Sequence, residues 1–138
     1  MPKAILMMLL VVASASAMAG WVKVSSNETV TLYAHPATIR KITFSNNIIM
    51  WSLHDYNTTQ ELTSSRPYLS VKFQYEYNCE EEQIRKLYSI PHSENMGGGI
   101  SLYRRKPDMI WTPISPGSII KILWKFACGN NERMGNKT

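Results

Sequence analysis

Hydrophobic and polar residues alternate along much of this chain, and the alternation predicts a β-rich domain. The clearest stretch is VKFQYEYNC, residues 71–79. Val71, Phe73, Tyr75, Tyr77 and Cys79 form one dry side, while Lys72, Gln74, Glu76 and Asn78 form a wet side. Strict period-two alternation over this length predicts an antiparallel strand with one solvated face. Upstream, WVKVSS (21–26), TVTLYAHP (29–36) and TIRKITFS (38–45) read as strands rich in β-branched residues. Ser45-Asn46-Asn47 reads as a turn, because Asn tolerates left-handed backbone angles. IIMWSLHDY (48–56) resumes as a strand, residues 57–67 read as an exposed polar loop, and YLSVKFQYEYNC (68–79) follows.

Two segments fit more than one element. EEEQIRKLYSI (80–90) starts acidic like a helix, yet Ile84, Tyr88 and Ile90 also suit one face of a strand. A strand paired back on 70–79 is the favoured reading. After a turn at PHSENMGGG (91–99), ISLYRR (100–105) reads as a short strand closed by Lys106-Pro107-Asp108. In SPGSIIKILWKFACG, Ser115 suits an N-cap and Pro116 the first helical position. Ile119, Ile120, Leu123, Phe126 and Ala127 make an apolar stripe, Ser118, Lys121 and Lys125 fall opposite, and Gly129 is a natural stop. Residues 118–128 also alternate, so a final strand remains open. The expected fold is α+β: an antiparallel β-sheet of about six strands with a C-terminal helix packed on one face and one disulfide.

The first residues belong to a different category. Lys3 precedes an apolar run from Ala4 to Ala13, and Ala17-Met18-Ala19 is a small-x-small cleavage site. That is the anatomy of a secretory signal peptide, and the run is too short to span a bilayer. Removal of the first 19 of 138 residues would leave 119, enough for one core. The domain expectation is thus a signal peptide over 1–19 and one domain over 20–138. Export changes the reading of the two cysteines. In an oxidising compartment an even count favours pairing, and Cys79 with Cys128 is the one intramolecular choice.

The formal charge is +5 and the sequence pI is about 9.3. A basic exported protein suggests polyanionic partners, such as glycans, lipid head groups or acidic protein patches. Nucleic acid is not expected as a partner, given export and modest charge. Arg104-Arg105-Lys106 is a tight basic cluster, and Arg66, Lys72, Arg85 and Lys86 lie on or beside the strand holding Tyr75 and Tyr77. Pairing of 70–79 with 84–90 would let these charges merge into one contact patch. The candidate ligand-binding residues are therefore Arg66, Lys72, Tyr75, Arg85, Lys86, Arg104 and Arg105.

Catalytic chemistry is not legible. His35, His54 and His92 have no metal spacing. His54-Asp55 with a distant serine lacks a G-x-S-x-G elbow. Gly97-Gly98-Gly99 has no strand-to-helix phosphate signature and reads as a permissive turn or a ligand-gripping loop. No enzyme activity, cofactor or metal is expected.

The order of Trp21-Val-Lys-Val, MWSLHDY (50–56), YLSVKFQYEYNC (68–79), LYS (87–89) and WTPISPGSIIKILWKFAC (111–128) resembles the bacterial surface-adhesin protein E family. The resemblance implies a small α+β domain with paired cysteines, exported by a Gram-negative bacterium. It also implies a non-catalytic adhesin able to dimerise and to bind host matrix or serum proteins such as vitronectin and laminin. The implied binding segment is Arg66 to Arg85. One departure stands out: that adhesin is a lipoprotein, whereas the first cysteine here is Cys79. The alternative expectation is a periplasmic structural or stress-related protein.

Overall fold

A computed structural model describes residues 20–61, 66–102 and 109–135. The strands are β1 (Val22–Ser26), β2 (Val30–Ala34), β3 (Arg40–Lys41), β4 (Ile48–Glu61), β5 (Pro67–Asn78), β6 (Gln83–His92) and β7 (Thr112–Pro113). A single helix, α1 (Ile119–Gly135), closes the described chain. The strands form one antiparallel sheet in the order β1-β2-β4-β5-β6-β7, with β3 against β4. Sequential hairpins suit an alternating pattern, because antiparallel neighbours need only short turns.

The alternation in β5 does set its faces. Val71, Tyr75 and Tyr77 are buried on one face, and Tyr75 and Tyr77 pack in the core cluster that includes α1. Their register partners on β4, His54, Met50 and Ile48, share that inner face, as does Ile84 on β6 opposite Tyr77. Leu123, Ala127 and Cys128 of α1 complete the core with Leu32 and Ala34 of β2. Trp124 donates its indole N–H to the Asn78 carbonyl at 3.0 Å, so a large ring packs without an orphaned donor. Cys79 and Cys128 are joined, with their Cα atoms 5.7 Å apart. The disulfide therefore ties the end of β5 to the helix.

Several elements differ from the expectations. Residues 38–45 do not form one strand: a 3-10 turn spans Pro36–Thr38, and only Arg40–Lys41 pairs with β4. Beyond Lys41 the chain turns, with Ser45 N–H donating to the Ile42 carbonyl and Asn47 N–H to Ser45 Oγ. The polar stretch after Tyr56 is not all loop, because β4 continues to Glu61 and pairs with Pro67 and Tyr68. β6 is the favoured strand, but it starts at Gln83. Of the strand expected over 100–105, Ser101 bridges His92, and residues 103–105 lie outside the described residues.

The helix starts later and ends later than its cap signals suggest. Gly117 takes φ +76°, turning the chain between Pro116 and Ser118. Ser118 then caps α1, accepting the Lys121 N–H at 3.3 Å. Gly129 does not stop the helix, which runs on to Gly135. Gly at an interior position costs about 1 kcal/mol relative to Ala, and packing of the preceding turns overrides that.

Candidate functional site

The sheet's outer face, opposite α1, is the candidate contact surface. Strand register builds it row by row. Trp51 of β4, Gln74 of β5 and Tyr88 of β6 are cross-strand neighbours. The Trp51 and Tyr88 rings lie within 17° of parallel, with centroids 6.2 Å apart. Tyr88 is 47% exposed, unusual for an aromatic in mid-strand. It points outward because β6 carries a bulge: Lys86 opposes Tyr75 and Tyr88 opposes Gln74, leaving Leu87 without a partner position.

The next row toward the β5–β6 turn holds Arg40, Ile49, Glu76 and Arg85. Glu76 was expected on a solvated face, yet it is only 4% exposed. Arg85 donates to its Oε1 from Nε at 3.0 Å and Nη2 at 2.7 Å, and Asn47 donates to Oε2 at 2.7 Å. The Arg85 guanidinium also stacks on Trp111, 4.7 Å from the ring centroid. A carboxylate taken out of water is tolerated only with such a full set of donors. On the other side of the aromatic row lie Tyr33, Leu53, Lys72 and Ile90.

A polar row follows, with Asp55, Ser70 and His92 on adjacent strands. Asp, Ser and His side by side invite a test for hydrolytic chemistry, and the hydrogen bonds answer it. Ser70 Oγ donates to the Glu94 carbonyl at 2.6 Å and accepts the Gly97 N–H at 2.9 Å. Asp55 Oδ1 accepts from Asn95 Nδ2 at 2.9 Å and from the Met96 N–H at 2.8 Å. Neither His92 ring nitrogen has a partner, so the serine is not coupled to a base. Burial, with the Lys72 ammonium adding, holds the His92 pKa below its usual value. The row instead anchors the 94–98 loop. Gly97, at φ +70°, sits where a Cβ would be 2.6 Å from Lys72 Cε. That close approach and the left-handed backbone explain one glycine of the run.

The sequence-derived residues do not assemble as one patch. Lys72 and Arg85 are on the outer face, but Arg85 is neutralised by Glu76. Lys86 lies on the inner face, its ammonium 4.8 Å from the Phe73 ring centroid. Tyr75 is 7% exposed in the core, and so is withdrawn from the contact surface. Arg66 is exposed at the start of β5, away from the aromatic row. Arg104 and Arg105 lie outside the described residues. Trp51, Tyr88 and Trp111 were not among the candidates. Tyr88 was read with Ile84 as one strand face, and the bulge at Leu87 separates them.

On the inner face His54 packs edge-on to Phe73, with centroids 4.6 Å apart, and its Nε2 makes no hydrogen bond. Burial, reinforced by Lys86, lowers its pKa to about 4. Among the described residues no group of three or more His, Cys, Asp or Glu could hold a metal ion. No described helix is long and apolar enough to cross a membrane.

The profile of the family described as Surface-adhesin protein E matches residues 21–129. The chain belongs to the surface-adhesin protein E family. Its architecture is that of solved structures of Haemophilus influenzae protein E. One crystal form is similar at a TM-score of 0.63 and 14% identity, covering 81% of this chain and 89% of that one. A second structure of Haemophilus influenzae protein E gives 0.61 at 14% identity, covering 81% and 86%. Protein E from non-typeable Haemophilus influenzae gives 0.61 at 15%, covering 83% and 79%. At this identity the likeness is one of fold. No curated protein matches the chain significantly. The implied pairing of Cys79 with Cys128 holds in this protein E-like domain. The implied binding segment, Arg66 to Arg85, contains all of β5 and the start of β6, and contributes Lys72, Gln74 and Arg85 to the outer face.

Proposed function

We propose that this protein is exported after removal of residues 1–19 and acts as a non-catalytic binding domain. Its ligands are host matrix or serum proteins of the vitronectin or laminin type. Family membership supports the adhesive role, since fold alone does not set function. The observation that carries the site is the Trp51–Gln74–Tyr88 row, with Tyr88 nearly half exposed, bracketed by Lys72 and Arg40. Trp, Tyr and Arg are the residues enriched at interface hot spots.

The test is binding of the oxidised, exported protein to immobilised vitronectin and laminin at low and physiological salt. Saturable binding that is weakened by salt and lost in Tyr88→Ala supports the reading. Absence of binding at both salts rejects it and favours a periplasmic role. Intact-mass measurement of the exported protein checks cleavage after Ala19.

A further inference from the structure

We propose that the outer face binds a sulfated glycosaminoglycan chain, with a pyranose ring on the Trp51–Tyr88 pair and its sulfates at the flanking cations. This rests on the reading of that face as the contact surface and gives its ligand a chemistry.

Three observations converge. First, two near-parallel aromatic rings side by side in one cross-strand row, Tyr88 nearly half exposed, offer electron-rich faces to the C–H groups of a sugar. Gln74 lies between them in register and brings an amide that both donates and accepts, as hydroxyl-bearing ligands require. Second, cations stand on both sides of that row. Lys72 is two residues along one way, and Arg40 lies two residues the other way, on the row where Arg85 is already paired with Glu76. Two residues of strand advance about 6.6 Å, so an acidic chain lying across the aromatic row meets positive charge on either side. Third, the acids of this face are spent internally. Glu76 is held by Arg85 and Asn47, and Asp55 by Asn95 and the Met96 amide. Among the described residues the ion pairs are Arg85–Glu76 and Lys121–Glu82, which leaves Lys72 and Arg40 without an ion-paired carboxylate. The face is therefore net positive within a chain of formal charge +5. Backbone groups of β4 and β5 are committed to the ladder, so an added peptide strand has nothing to pair with here.

The experiment is calorimetric titration of the oxidised, exported protein with a size-defined heparin octasaccharide at physiological salt. Desulfated heparin and inorganic polyphosphate serve as controls. Saturable binding is expected, with neither control reproducing it. Tyr88→Ala should weaken it about three- to ten-fold. Tyr88→Trp should retain it. Lys72→Gln should weaken it about two- to five-fold and flatten the salt dependence. Equal affinity for desulfated heparin overturns the role of the cations. Polyphosphate binding that matches heparin, with both indifferent to Tyr88→Ala, overturns the stacking. If heparin fails while vitronectin or laminin binds and Tyr88→Ala abolishes that binding, the face stands and the saccharide proposal falls. If neither binds, the reading of the face falls and the proposal with it.

Discussion

His54 should make the fold acid-sensitive, and the size of the effect can be worked out. Its imidazole is buried between Phe73 and Tyr56, carries an unpartnered Nε2, and feels the Lys86 ammonium. Its pKa is lowered from 6.5 to about 4 in the folded state. Above pH 6.5 neither state holds the proton, and His54 adds no pH dependence. Between 6.5 and about 4 the unfolded chain takes up a proton that the folded chain refuses, so stability falls as pH falls. Each pKa unit is worth about 1.4 kcal/mol, so the full loss is about 3 kcal/mol, of which about 2 kcal/mol has appeared by pH 5. His54→Phe keeps a ring against Phe73, removes the titration, and sacrifices no hydrogen bond at Nε2. The assay is urea unfolding followed by tryptophan fluorescence at pH 8 and pH 5. Between these pH values the parent protein should lose about 2 kcal/mol more than the variant, or about 1 M in midpoint. His92 shifts in the same direction and leaves a residual slope in both proteins. An identical loss in parent and variant would refute the assignment of the acid sensitivity to His54.

Other parts of the molecule give sharper local outcomes. Replacing Cys79 and Cys128 by Ser opens a loop with a sequence separation of 49 residues and should cost about 4 kcal/mol, read as a lower thermal midpoint. Glu76→Gln removes the charge that Arg85 and Asn47 surround. Because the Arg85 side chain is 28% exposed and can rehydrate, the expected loss is about 2–3 kcal/mol, below that of a fully buried pair. Asp55→Ala should free the 94–98 loop, raising hydrogen exchange at the Met96 and Gly97 amides by ten-fold or more while the Tyr75 and Tyr77 amides stay protected.

The fold was legible where one rule acted alone. The β5 alternation, the apolar stripe of α1 and the cysteine count each led to the observed arrangement. Failures came where a tertiary partner or a bulge intervened. Thr43 and Phe44 have strand propensity, but no strand lies beside them, and Phe44 ends 98% exposed on a turn. Polar Gln60 and Glu61 look like loop residues, yet they pair with Tyr68 and Pro67 of β5, which holds them in β4. Glu76 looked solvated because its donors, Arg85 and Asn47, come from other strands and turns. The contact surface was harder to read than the fold, because charge counting gathers Lys72, Arg85 and Lys86, while register sends Lys86 to the far side.

Leu87 gives β6 a second reading frame. Residues before it and after it obey period two, but in opposite phase, so Arg85 and Tyr88 share a face although three positions apart. Deleting Leu87 would restore an unbroken ladder with Tyr88 still opposite Gln74, whereas absorbing Leu87 into the ladder would carry Tyr88 around to the helix side and erase the aromatic row. In relatives that lack this insertion, an alignment drawn without a gap at Leu87 would place residues from opposite sides of the sheet in one column. Transfer of contact residues between members of the family therefore has to follow the phase of β6 rather than the column.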